Sequence, residues 1–288
     1  MSKPQVAYTI DHEGLKLDIA LIPSYDLLIH EETIPERLES LKRRIKADEV
    51  QSAPIIVDRK TSVVLDGMHR TSVMKQLGCR FTCVCMLDYF DPRIKVQRWC
   101  RIIPKPFDHV DADTVFKEID LSMEPYELVD PPDEEESLIL IFKEKALKFK
   151  GSLENLLEVF IKINKLETKL NNLGYEVVHC TEAEALEYVR DKHFAAALYM
   201  PKVSKKNVLE AAEKKEVFTP KATRHQLPAR PVQVNVPLSL LRNLEISLIE
   251  ANLRLKHLLE TKNVTRYDPG KEWHGRKYDE VLYVFDDS

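Results

Sequence analysis

The segment Leu65-Asp-Gly-Met-His-Arg-Thr71 combines a carboxylate, a glycine, an imidazole and a guanidinium between a β-branched run and a short helical pattern. Backbone N–H groups at a helix start carry partial positive charge, and Gly67 lets the backbone approach an anion closely. His69 and Arg70 add hydrogen-bond donors, and Asp66 is placed to hold a magnesium ion. The segment predicts a phosphate-binding turn, although an ordinary β-turn with a salt-bridging arginine fits the same residues.

Two further short segments carry groups that could do chemistry. Ile29-His-Glu-Glu-Thr33 lies just before an amphipathic helical pattern. A carboxylate there would serve as a general base, but acidic residues are common at helix starts, so the residues alone favour helix capping. Ala222-Thr-Arg-His225 places a hydroxyl, a guanidinium and an imidazole in a row, which suits a phosphate or carboxylate oxyanion. Trp99 is by default a core or surface aromatic residue.

Composition excludes several classes of protein. The 288 residues include 43 Lys and Arg against 47 Asp and Glu, a formal net charge of −4. Proteins that bind bulk nucleic acid usually carry a positive excess, so that class is disfavoured. Only 7 glycines occur, and neither Gly-x-Gly-x-x-Gly nor Gly-x4-Gly-Lys-Ser/Thr is present, which excludes the dinucleotide fingerprint and the P-loop. A nucleotide would have to be bound by another kind of turn.

The cysteines and the apolar runs indicate the compartment. The five cysteines form no Cys-x-x-Cys pair, which argues against a structural zinc site and a disulfide framework. No apolar run approaches the roughly 18 residues that a membrane-spanning helix needs. The N-terminus lacks the basic-then-apolar layout of a secretory signal. We therefore expect a cytoplasmic protein with no membrane partner.

Hydrophobic periodicity predicts an α/β (α+β) chain whose elements position these groups. The predicted strands lie at 7–10, 17–22, 54–58, 62–65, 83–87, 138–142, 175–179 and 194–200, with another near the C-terminus. The predicted helices lie at 34–45, 71–77, 152–173, 183–190 and 238–259. We expect a first domain over 1–107, a linker over 108–137 that ends in the acidic segment 130–136, and a mixed α/β C-terminal domain over 138–288.

Taken together and in this order, the segments resemble a known family. Residues from about 21 to 103 resemble the ParB/sulfiredoxin-like domain, in which a phosphate box of Asp/Gly-x-His-Arg type lies between a strand and a helix. Within that superfamily the chain is most similar to the free L-serine kinases of archaea and to SbnI-like proteins. The shared features are His30-Glu31, Leu65-Asp-Gly-Met-His-Arg70, Leu87-Asp-Tyr-Phe90, Trp99 and Phe218-Thr-Pro-Lys-Ala-Thr-Arg-His225. The likeness extends to about residue 241.

Two departures narrow the resemblance. Met68 stands where sulfiredoxin carries its catalytic cysteine, so sulfiredoxin chemistry is disfavoured. Partition-type ParB proteins continue into a basic helix-turn-helix, whereas this chain continues into the acidic segment 130–136. DNA partition is therefore disfavoured as well.

The resemblance implies a kinase that transfers the terminal phosphoryl group of ATP or ADP to free L-serine, with Mg²⁺. It implies that Glu31 accepts the proton of the serine hydroxyl and that Asp66 engages the magnesium ion and orients the nucleophile. It implies nucleotide and phosphate binding by Gly67, Met68, His69, Arg70 and Thr71. It implies substrate binding by Thr223, Arg224 and His225, with Trp99 as a wall of the pocket.

Two alternatives remain open from the sequence. One is a ParB-like, nucleotide-hydrolysing regulator that binds nucleic acid, and the other is a kinase for a different small hydroxyl acceptor. The residues alone do not fix serine over a related amino acid, and they do not choose between ATP and ADP. We expect small-molecule substrates and no nucleic-acid partner, and the tail from Asn243 onward has no predicted role.

Overall fold

The computed structural model describes residues 5–104, 122–127, 137–142, 145–149, 155–191, 196–273 and 275–287. The chain forms two compact units, each built from separate parts of the sequence. The first unit consists of Met1–Lys95, Leu209–Lys215 and His225–Ser288, and the second of Val96–Val208 and Glu216–Arg224.

The described residues form both helices and strands. The helices are α1 (Pro35–Asp48), α2 (Met68–Gln76), α3 (Leu156–Asn172), α4 (Glu182–Asp191), α5 (Lys205–Lys214), α6 (Leu238–Leu241) and α7 (Leu248–Glu260), with a 3-10 turn at Ser24–Asp26. The strands are β1 (Tyr8–His12), β2 (Leu15–Pro23), β3 (Val50–Gln51), β4 (Ile55–Asp58), β5 (Val64–Asp66), β6 (Phe81–Leu87), β7 (Lys95–Gln97), β8 (Cys100–Ile103), β9 (Met123–Tyr126), β10 (Ile139–Phe142), β11 (Lys145–Phe149), β12 (Val178–Cys180), β13 (Ala196–Tyr199), β14 (Arg224–Gln226), β15 (Ala229–Val232), β16 (Val236–Pro237), β17 (Lys262–Tyr267), β18 (Glu272–Trp273), β19 (Arg276–Lys277) and β20 (Val281–Asp287). In the part of the chain that the structure describes, no helix is long and apolar enough to cross a membrane.

A five-stranded sheet with the order β1-β2-β6-β4-β5 forms the centre of the first unit. Strands β4 and β6 are parallel, and the other neighbours are antiparallel. All seven residues of β6 are buried, as expected for a strand that is covered on both faces. The last strand in the order, β5, ends at Asp66, and α2 begins two residues later at Met68. The edge of this sheet therefore positions the predicted phosphate turn.

The C-terminal segment completes the first unit. Strand β20 lies between β15, to which it is parallel, and β17, to which it is antiparallel. Helix α7 contacts β2 through Asn252, which accepts a hydrogen bond from the Leu21 N–H at 2.7 Å and donates one to the Leu21 carbonyl at 3.0 Å. These bonds satisfy backbone groups that are buried away from water. The tail is thus built into the core of the unit that carries the phosphate turn.

The second unit contains an antiparallel six-stranded sheet with the order β12-β8-β13-β10-β11-β9. Its long helix α3 begins at the N-cap Asn155, whose side chain accepts a hydrogen bond from the Glu158 N–H at 3.3 Å. The helix buries the stripe Val159, Phe160, Ile163, Leu166 and Leu170. The predicted mixed α/β class is confirmed in both units.

The compact units differ from the consecutive domains 1–107 and 138–288 that the sequence predicted. Strand β8 pairs with β12 and β13, so the chain joins the second unit before residue 107. The residues from His225 onward return to the first unit. Within the predicted linker 108–137, β9 pairs with β11, so this stretch contributes a strand, while the acidic segment 130–136 lies outside the described residues.

Two helix predictions need correction. The single helix predicted over 238–259 is two helices, α6 and α7, because Ser247 accepts a hydrogen bond from the Glu250 N–H at 3.1 Å and so starts a new helix. Helix α5 was not predicted. Its start is marked by Ser204, whose hydroxyl oxygen accepts a hydrogen bond from the Asn207 N–H at 3.1 Å.

Candidate active site

The phosphate turn joins β5 to α2 through Gly67, which adopts φ +112° at the N-cap of the helix. A β-carbon built on Gly67 would lie 3.1 Å from Arg70 Nη2 and 3.3 Å from Ile55 Cγ1, so a side chain would be crowded by these neighbours and strained by the backbone angle. A glycine N-cap offers no side chain to the first amides of the helix, which leaves these amides for an anion. The buried Thr71 hydroxyl donates to the Gly67 carbonyl at 3.1 Å, which closes the turn; phosphate binding by Thr71 stays a prediction.

The carboxylate of Asp66 lies between two guanidinium groups. Its Oδ2 is paired with Arg230 Nη1 and lies 3.5 Å from Arg70 Nη2. Burial disfavours the charged form, but the charges of Arg230 and Arg70 outweigh it and hold the pKa of Asp66 well below its usual range. Asp66 is therefore ionised at any working pH, which is the form in which a carboxylate could bind magnesium; the magnesium role of Asp66 stays a prediction.

Glu31 lies on a loop that is fastened to the phosphate turn. The carboxylate residue is buried, with 8% of its surface exposed. Three residues later, the Ile34 N–H donates to His69 Nε2 at 3.0 Å, so this imidazole nitrogen is unprotonated and the proton of the neutral ring is on Nδ1. No side chain caps α1 through a hydrogen bond, because Ile34 is the N-cap and Pro35 takes the first helical position. Electrostatic capping of α1 by an acidic residue of this segment stays a prediction.

In the first unit, the rings of His30 and Tyr89 both contact the ring of His225. His30 is fully buried and its Nδ1 lies 2.8 Å from the Val64 carbonyl oxygen, to which it donates. The ring of His225 meets His30 edge-on with centroids 5.4 Å apart, and its Nε2 lies 2.8 Å from the Tyr89 hydroxyl. Burial, and secondarily the charge of Asp58, raises the pKa of Tyr89, so its hydroxyl stays protonated. His225 is therefore held from two sides.

In the second unit, Trp99 is bound to the segment just before His225. The indole N–H of Trp99 donates to the Thr223 carbonyl at 3.0 Å, and Lys221 Nζ lies 4.1 Å from the centroid of the ring. Arg101 fixes the same pair by donating to the carbonyl oxygens of Trp99 and Lys221, at 2.8 Å and 3.1 Å. A cation over an indole face is attracted by the ring quadrupole.

Arg224 adds a second cation to this cluster. Its Cζ lies 5.9 Å from the Trp99 ring centroid, and its Nη1 is hydrogen-bonded to Gln97 Oε1. The second unit thus groups three of the predicted substrate-binding residues, Trp99, Thr223 and Arg224. The substrate role of each stays a prediction.

No family model matches the chain, but relatives and solved structures do. An ATP-dependent L-serine kinase of Staphylothermus marinus is 30% identical over 251 residues, which cover 83% of this chain and 96% of that protein. The chain belongs to the L-serine kinase family. An ADP-dependent L-serine kinase, SerK of Thermococcus kodakarensis, is 24% identical and covers 77% of this chain and 93% of that protein.

Two solved structures of similar proteins have the same fold as this member of the L-serine kinase family. SbnI of Staphylococcus aureus with a C-terminal truncation superposes with a TM-score of 0.69, at 20% identity over 84% of this chain and 95% of that chain. A variant of a free serine kinase in complex with ADP gives a TM-score of 0.66, at 22% identity over 84% of this chain and 97% of that chain. These structures support the fold, and the 30% identity to the Staphylothermus marinus kinase confirms the resemblance to L-serine kinases.

Three residues that contact His225 or Trp99 had no role predicted from the sequence. His30 and Tyr89 surround His225, and Lys221 stacks on Trp99. Each belongs to a segment that carried the resemblance, and that membership was the available signal. Their local sequence gave no further indication, because their partners are distant in the chain.

Removing the Tyr89 hydroxyl should weaken substrate binding by this kinase. In Tyr89→Phe, His225 loses the group that fixes its Nε2, and we expect the KM for serine to rise about three- to tenfold, as for one lost hydrogen bond. The KM for nucleotide should change little. The control is Tyr25→Phe, a tyrosine that is 76% exposed. An unchanged KM for serine would remove His225 from the binding of that substrate.

Acidification should destabilise the protein through His30. Burial, partly offset by the bond to the Val64 carbonyl, lowers the pKa of His30 from 6.5 to about 4. The unfolded chain therefore binds a proton at this residue below about pH 6.5, whereas the folded protein binds it only near pH 4. Stability is complete above 6.5 and falls as the pH drops towards 4, by about 3 kcal/mol for this group.

Denaturant unfolding at neutral pH and at about pH 4 tests this prediction. The reference is His30→Gln, which keeps a donor for the Val64 carbonyl but does not titrate. Other carboxylates titrate in both proteins, so the difference between the two losses isolates His30. Equal losses of unfolding free energy would contradict the assignment.

Proposed function

We propose that this chain transfers the terminal phosphoryl group of ATP or ADP to the hydroxyl of free L-serine and releases O-phospho-L-serine. The observation that carries the proposal is the hydrogen bond from the Ile34 N–H to His69. It ties the loop of the buried Glu31 to the turn whose amides would bind phosphate. Phosphoryl transfer depends mainly on positioning and on neutralisation of charge, and such a tether provides positioning.

The nucleotide phosphates would bind at the start of α2. Gly67 and Met68 would offer backbone amides, and His69 and Arg70 would add side-chain donors. Because Gly67 has no side chain, the phosphate can approach the backbone directly. The guanidinium of Arg70 already lies against Gly67, where it would meet the anion.

Magnesium would enter with the nucleotide. Among the described residues, no group of three or more His, Cys, Asp or Glu side chains could hold a metal ion. The ionised Asp66 nevertheless fits a magnesium–phosphate complex, which usually takes one or two carboxylates from the protein. Both guanidinium contacts of Asp66 fall on Oδ2, so we assign Oδ1 as the ligand. The ion would neutralise charge on the phosphates.

In the reaction, the carboxylate of Glu31 would accept the proton of the serine hydroxyl. The hydroxyl oxygen would bond to the terminal phosphorus while the bond to the bridging oxygen breaks, and the bridging oxygen would leave with the nucleotide. His225, held by Tyr89 and His30, would bind the substrate. Thr223, Arg224 and Trp99 are assigned to the same substrate on the family resemblance.

Phosphorus NMR of the purified protein with L-serine, Mg²⁺ and either ADP or ATP tests the proposal. Formation of phosphoserine supports it, and the co-product, AMP or ADP, identifies the donor. L-threonine and L-homoserine in place of serine test the acceptor. If neither donor yields phosphoserine, the serine assignment falls; slow nucleotide hydrolysis with salt-sensitive DNA binding would then support a ParB-like regulator.

A further inference from the structure

The C-terminal tail brings an aromatic ring and two guanidinium groups to the phosphate turn. Tyr278 lies between Arg230 and Arg276, whose Cζ atoms are 5.6 Å and 4.6 Å from its ring centroid. Arg230 in turn pairs with Asp66, the last residue of β5. A residue of the tail hairpin, Arg276, is thereby linked through Tyr278 and Arg230 to the start of the turn.

The two arginines differ in burial and in the number of groups that hold them. Arg230 lies on β15, in register with Leu282 of the neighbouring β20, and its Nε is paired with Glu280. Arg230 is 6% exposed and Glu280 is 9% exposed, so both charges are inside the unit. Arg276 lies on the hairpin strand β19, opposite Trp273, and is exposed. Arg230 is therefore a fixed support, while Arg276 reaches solvent.

The charges of this cluster do not balance. The guanidinium groups of Arg70, Arg230 and Arg276 all act on the carboxylate of Asp66, and Arg230 also pairs with the carboxylate of Glu280. One positive charge is left over. In addition, Arg70 Nε is buried and donates to no acceptor among the described residues. This nitrogen would lie 3.3 Å from a β-carbon on Gly67, at the point where the helix amides begin.

An excess positive charge and an unused buried donor beside the first amides of a helix favour the binding of an anion. We propose that Arg276 binds a phosphate group of the donor nucleotide and that Tyr278 and Arg230 position it. The inference rests on the proposed function, since the ligand is the nucleotide of that reaction. The tail, which had no role in the sequence, becomes part of the phosphate site.

Isothermal titration of the full-length protein with MgADP, MgATP, inorganic pyrophosphate and adenosine tests this role. We expect Arg276→Ala to weaken the binding of both nucleotides and of pyrophosphate about three- to tenfold, as for one partly exposed charge contact. Adenosine binding should not change. Arg276→Lys, which keeps the charge, should recover part of the affinity. In turnover, the KM for nucleotide should rise and the KM for serine should not.

The matched control is Lys277→Ala. It removes the same charge from the same strand, but adjacent side chains of a strand leave on opposite faces. The role of Arg276 is overturned if Arg276→Ala binds nucleotide normally, if adenosine binding falls equally, or if Lys277→Ala has the same effect. A wild-type protein that binds nucleotide but forms no phosphoserine would end the serine kinase assignment and leave this inference intact. A wild-type protein that binds no nucleotide would end both.

Discussion

Glu31→Gln is expected to lower the rate of phosphoserine formation by about 10²–10⁴-fold, because the amide cannot accept the proton of the serine hydroxyl. The substitution keeps the size of the side chain and one carbonyl oxygen, so the buried position is expected to tolerate it. The loss should fall on kcat, since nucleotide phosphates are assigned to the turn at Gly67 rather than to Glu31.

Glu32→Gln is the control for this experiment. It makes the same change of charge one residue along the chain, at an exposed position. Phosphorus NMR gives the turnover of both variants, and titration with MgADP gives their nucleotide affinity. Near-normal turnover by Glu31→Gln, or an equal loss in both variants, would show that Glu31 is not the proton acceptor.

The phosphate turn could be predicted from the sequence because its signals are local. A β-branched run, Asp66-Gly67 and a short helical pattern ended by Gly78 are all contained in about one strand–turn–helix unit. The structure places β5, the Gly67 N-cap and α2 in this order. Hydrophobic periodicity and turn-forming residues are signals within a few consecutive residues, and these were enough to predict the phosphate turn.

The groups that complete the site could not be found in this way. Ile34 and His69 are 35 residues apart, Tyr89 and His225 are 136 apart, and Asp66 and Arg230 are 164 apart. No periodic pattern states which distant side chains will meet. For the same reason, the sequence could not show that the amide at the start of α1 is satisfied by His69 from another element.

The C-terminal tail shows a second limit of prediction from sequence, which is strand pairing. Its strand β20 was expected, but its place between β15 and β17 follows from pairing across the chain. That pairing buries Arg230 and Glu280 together. The amino-acid composition does not predict a buried charged pair of this kind, because arginine and glutamate are surface residues in most proteins.

Asp66→Asn is expected to lower turnover by about 10²-fold or more and to raise the magnesium concentration needed for half-maximal rate, because the amide removes a charged oxygen ligand. The variant also removes a partner of Arg230. Since Arg230 keeps its pairing with Glu280, we expect a loss of about 1–3 kcal/mol in the free energy of unfolding rather than collapse of the fold.

Glu280→Gln separates the two roles of Asp66. It removes the other carboxylate of Arg230, so its cost in the free energy of unfolding should resemble that of Asp66→Asn. It removes no proposed magnesium ligand, so the magnesium dependence of its turnover should match that of the wild type. If both variants shift the magnesium dependence equally, Asp66 acts by holding Arg230 and not by binding the ion. If only Asp66→Asn shifts it, the carboxylate between the two arginines is the metal ligand.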